Sequence, residues 1–86
     1  MDFIDLISIF EISGWQALGK IPNPVTGKSE QNLDAVQNAI EILILLKEKS
    51  RNNLSDEEEK RLSAAIANLQ LNYAAEKEKR KTGAGE

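Results

Sequence analysis

The chain has 86 residues, 41% apolar and 29% charged, the composition of one soluble globular domain rather than of a disordered or membrane-spanning chain. It contains neither Cys nor His, which excludes disulfides, thiolate nucleophiles, Cys/His zinc centres and imidazole acid–base work. A net charge of −3 provides no basic field to draw it to nucleic acid or anionic lipid.

The start, Met1-Asp2-Phe3-Ile4-Asp5, lacks the basic residues of a secretory signal, and no uncharged apolar run reaches the ~20 residues of a membrane span. The expected location is cytoplasmic. Dense apolar residues without Pro predict a first helix over about 2–18. Gly14 within it costs about 1 kcal/mol of propensity against Ala, so it marks a bend or a close packing contact. Gly19 suits the left-handed position that ends a helix.

Residues 19–28 predict a loop, because Pro22 and Pro24 remove donors and push their predecessors away from helix. Asn23 suits an Asx turn into Pro24, and Thr26-Gly27 a closing turn. Gly27-Lys28-Ser29 has the ending of a phosphate-binding P-loop, but Pro22 stands where that motif needs its first Gly. Ser29 is instead read as the N-cap of a second helix over about 29–49, with Glu30 at its positive end. Leu33, Val36, Ile40 and Leu43 form one apolar face of that helix, and Ala35, Ala39, Ile42 and Leu46 an adjacent one.

Residues 50–54 form a short polar connection suited to antiparallel helices. Ser55-Asp56-Glu57-Glu58 fits a capping box, with Ser55 as N-cap and Glu58 at N3, opening a third helix over about 55–80. Leu62, Ile66, Leu69 and Tyr73 give it an a/d-like seam. Glu57–Arg61 and Glu76–Arg80 have the spacing and orientation of favourable i,i+4 ion pairs. Residues 82–86 have nothing to bury and read as a disordered tail. The acids at 56–59 match no calcium loop, and the basic stretch 76–81 lacks aromatics to stack on bases.

The expected fold is therefore all-α: a long antiparallel hairpin of helices two and three with helix one packed on it. Helices one and two carry more apolar residues than one buried stripe each requires, and large exposed patches mark interaction sites. This predicts a homo-oligomer, dimer or tetramer, through Phe3, Ile7, Phe10, Ile42, Leu45 and Leu46. A stiff loop flanked by bulky anchors makes Trp15, Ile21, Pro22, Asn23, Pro24, Thr26 and Lys28 the candidate partner-binding residues.

The run Leu18-Gly19-Lys20-Ile21-Pro22-Asn23-Pro24-Val25-Thr26-Gly27-Lys28, with Asn53-Leu54-Ser55-Asp56-Glu57-Glu58-Glu59 further on, carries a family resemblance. It resembles the LG-x-IPNP-x-TGK and N-L-[ST]-x-E-E pattern of a small bacterial, all-helical family of unknown function, matching from about Leu18 to Tyr73. The resemblance implies the fold and a bacterial origin; it transfers no activity and no catalytic residue.

The reading is a non-enzymatic homo-oligomeric interaction or adaptor protein with no catalytic, cofactor or metal residues, no nucleic acid and no membrane span. A protein partner at the loop is the further candidate. The alternatives are a small-ligand binder or enzyme built on carboxylates such as Glu41 with Lys28 or Tyr73, and a membrane-peripheral protein using helix one.

Overall fold

Asp2 begins the first helix: its side chain accepts from the Asp5 N–H at 2.9 Å, while Asp5 accepts from the Asp2 N–H at 3.1 Å. This reciprocal cap starts α1 (Phe3–Ala17); α2 (Leu33–Lys49) and α3 (Asp56–Gly83) follow in the computed structural model, which describes residues 1–83. Each helix packs against the other two. The protein is all-α, and at ~1.5 Å rise per residue the 28-residue α3 spans about 42 Å, most of the 48 Å long axis.

α1 ends as its glycine predicts. Gly19 has φ +81°, the Lys20 N–H reaches back to the Trp15 carbonyl and the Gly19 N–H to that of Gln16, both at 3.0 Å. These two bonds satisfy carbonyls that the helix itself leaves open. α2 begins later than expected. Asn32, not Ser29, is its N-cap, with Oδ1 accepting from the Ala35 N–H at 3.1 Å. Residues 29–31 lie outside the helix and are exposed instead. The Ser55 cap forms as read: the Glu58 N–H donates to Ser55 Oγ at 3.1 Å and the Ser55 N–H to Glu58 Oε1 at 2.8 Å. α3 runs on through Gly83, so Thr82 and Gly83 are helical rather than tail; residues 84–86 lie outside the described residues.

The core joins Ile7 and Leu18 to Val36, Ile40 and Leu43 and to Leu62, Ala65, Ile66 and Leu69. Gly14 explains how α1 sits so near α3. A Cβ on Gly14 would lie 2.8 Å from both Leu69 Cδ atoms, so the glycine marks a close helix–helix contact. The expected local ion pairs give way to longer-range ones. Arg61 pairs with the buried Glu11 of α1, and Glu76 with Lys20 at 3.4 Å. These contacts join residues 11, 14 and 20 to 61, 69 and 76, so α1 runs parallel to α3, while α2 and α3 form the antiparallel hairpin.

The core absorbs much of the predicted interface. Ile7 is fully buried within the chain, and Phe3, Phe10 and Leu46 pack against the core cluster. These four already have intramolecular neighbours, because the loop and two partner helices cover more of α1 and α2 than one stripe each. Ile42 and Leu45 remain on the surface, at 37% and 51% exposure.

Candidate functional site

The segment from Leu18 to Asn32 is folded on itself. At its base the Asn32 N–H donates to the Ala17 carbonyl at 2.7 Å, and Leu18 pairs with Gln31 in an antiparallel bridge. Higher up, the Asn23 N–H donates to the Lys28 carbonyl at 2.8 Å and the Gly27 N–H to the Asn23 carbonyl at 2.7 Å. The tip is closed by short polar side chains. Asn23 Oδ1 accepts from the Val25 N–H at 2.8 Å, the expected Asx turn, and Thr26 Oγ1 accepts from the Lys28 N–H at 3.3 Å. Gly27, at φ +72°, supplies the left-handed residue that brings the chain back.

α3 holds this loop from outside. Glu76 Oε1 accepts from Gln31 Nε2 at 2.8 Å, and Glu76 Oε2 meets Lys20 Nζ at 3.4 Å. Gln31 Nε2 also lies 3.3 Å from the Leu18 carbonyl, so one carboxylate ties both strands of the loop base to the helix. The Gln31 hydrogen bond, opposed by desolvation and reinforced by Lys20, holds the Glu76 carboxyl below the usual glutamate range. Glu76 lies three residues beyond Tyr73 on the inward register of the α3 seam. An acid at an inward position is the sequence signal for this clamp.

The predicted loop residues fall on two levels. Trp15 packs against the core and Ile21 is half-buried, whereas Pro22, Asn23, Pro24, Thr26 and Lys28 are exposed. Val25 at the tip is 91% exposed, an apolar side chain presented to solvent by a hydrogen-bonded turn. Of the residues of the carboxylate alternative, Tyr73 Oη donates to Gln37 Oε1 at 3.1 Å, and Glu41 on α2 and Lys28 in the loop are exposed. A groove of about 540 Å³ at the α2–α3 turn has Ile44, Leu54 and Ile66 beneath a rim mixing Lys47 and Arg51 with Glu48 and Glu59. Among the described residues no group of three or more Asp or Glu is placed to hold a metal ion, and no helix is long and apolar enough to cross a membrane.

Comparison with curated proteins and with solved structures gives no match. A family model does match, over residues 1–75, and its description is domain of unknown function, DUF1844. That span takes in all of α1, the clamped loop, α2 and α3 as far as the residue before Glu76. The chain belongs to the DUF1844 family.

Proposed function

We propose that the protein is a non-enzymatic interaction module that works as a homo-oligomer and presents the loop between α1 and α2 to a protein partner. The observation that carries this reading is the construction of the loop. Residues 22–30 are all exposed, yet their backbone is cross-bonded within the loop and its base is clamped by Glu76. Ordering a loop in advance lowers the entropy lost when a partner docks on it. Val25, Pro22 and Pro24 supply an apolar edge with little rotamer freedom to lose. The surface apolar residues Ile9, Ile12, Ile42, Leu45 and Leu71 support self-association.

The test is site-specific photo-crosslinking in cells that make the protein, with the probe at position 25 and, as control, at exposed position 57. A discrete adduct with another protein from position 25 alone is the expected result. Equal, diffuse labelling from both positions would overturn the partner role of the loop. Light scattering across a hundredfold concentration range tests the other half, for which a mass fixed at that of the 9.5 kDa monomer is the contrary result.

A further inference from the structure

α3 carries two a/d seams on opposite faces. The inner one, Leu62, Ile66, Leu69 and Tyr73, is spent on the core. The outer one runs Lys60, Ala64, Ala67, Leu71, Ala74 and Glu78, spaced 4-3-4-3-4, and all six residues are exposed. Leu71, at its middle, is 71% exposed. A solitary surface leucine is ordinary, but one centred in a heptad-spaced seam with a charge at each end is the pattern of a coiled-coil face.

We infer that two copies of the chain pair antiparallel along this outer face of α3, an inference that rests on the homo-oligomeric reading above and gives it a surface. The charges choose the partner and its direction. In an antiparallel pair with its axis level with Leu69, Lys60 of one copy faces Glu78 of the other, Ala64 faces Ala74, and Ala67 faces Leu71. Each end then closes on opposite charges. A parallel pair sets Lys60 against Lys60 and Glu78 against Glu78, which repels at both ends. The alanines let the helix axes approach to about 8 Å, near the lower limit for packed helices. The contact from Lys60 to Glu78 is about 27 Å long at 1.5 Å per residue. One helix pair of that length buries less than about 1,200 Å², the size of a reversible contact, so the dimer is concentration-dependent.

The experiment is sedimentation of the full chain across a hundredfold concentration range, with far-UV circular dichroism confirming that each variant folds. Leu71→Glu weakens dimerisation about tenfold or more. Lys60→Glu also weakens it, and Lys60→Glu with Glu78→Lys restores it, because the exchanged charges still meet their opposites. As the chain has no cysteine, Ala64→Cys and Ala74→Cys give a geometric readout. Mixed, the two variants form a disulfide-linked heterodimer, and neither forms one alone. A dimer indifferent to Leu71→Glu would overturn this face while leaving the oligomeric reading intact. Self-crosslinking of each single variant, or no rescue by the double exchange, would overturn the antiparallel pairing. A monomer at every concentration would overturn both.

Discussion

Gly14→Ala sets two backbone-level effects against each other at one position. In the helix interior, alanine gains about 1 kcal/mol over glycine. The added methyl would stand 2.8 Å from both Leu69 Cδ atoms, and Leu69 is fully buried, so it cannot swing into solvent. Overpacking of this kind costs about 1–3 kcal/mol. The net expectation is a loss of about 1 kcal/mol, or roughly 4–8 °C in Tm for a domain of this size. Leu69→Ala removes the clashing atoms at its own cost of about 2–5 kcal/mol, within the ~4–13 kcal/mol of total stability expected for 86 residues. In that background Gly14→Ala should change sign and stabilise by about 1 kcal/mol. Urea unfolding of the four proteins, followed by circular dichroism at low concentration, completes the cycle. Equal effects of Gly14→Ala in both backgrounds would refute the close-contact account.

The relocated cap predicts that Asn32→Ala costs about 1 kcal/mol in the same unfolding assay, whereas Ser29→Ala is within about 0.5 kcal/mol of neutral. Glu76 has its carboxyl held below its ordinary value in the folded protein, so its stabilising contribution is present above that ordinary value and is lost as pH falls through the lowered one. Protection factors of the Asn32 and Asn23 amides, taken relative to the intrinsic rate at each pH, should fall on acidification through that window, and Glu76→Ala should lower them already at neutral pH; unchanged protection in the variant would remove the clamp. Leu46→Asp introduces a charge against the core cluster and should lower Tm by more than 10 °C. Ile42→Asp, at a surface position, should leave Tm within a few degrees in the same melt.

Local chemistry made part of this structure legible in advance. The Ser55–Glu58 box, the Asx turn at Asn23 and the left-handed Gly19 each depend on atoms within a few residues, and each forms as read. The departures arise where a distant group competes with a local one. Ser29 and Asn32 are both competent caps, and choosing Asn32 keeps Gln31 extended, which lets it pair with Leu18 and reach Glu76, forty-five positions away. Arg61 has Glu57 one turn before it, yet it turns to Glu11, a carboxylate otherwise buried without a cation. The apolar wealth of α1 is visible in the sequence. That Phe3, Phe10 and Trp15 spend theirs inside the chain depends on two other helices. The clamp is half legible in the same way: Glu76 stands out as an acid on the inner seam, but its partners Gln31 and Lys20 are set only once α1 runs parallel to α3.

The parallel run of α1 along α3 is fixed at three points, and together they explain why the loop stands where it does. Glu11 with Arg61 sets one end, Gly14 against Leu69 the middle, and Lys20 with Glu76 the other. A helix can slide past its neighbour by a turn, about 5.4 Å, if only apolar side chains interdigitate, because one leucine substitutes for another. Here such a slide would strip Glu11 of its cation inside the core, drive a side chain where only glycine fits, and carry Lys20 away from Glu76. The second penalty is steric exclusion, which salt leaves untouched, whereas the first and third are ion pairs whose side chains are about equally open to solvent, so salt weakens both. The axial register of α1 is thus held chiefly by the Gly14–Leu69 contact, and Glu76 acts on a loop whose starting point is already determined. The loop base therefore inherits its position from the core, and the clamp adds only its orientation.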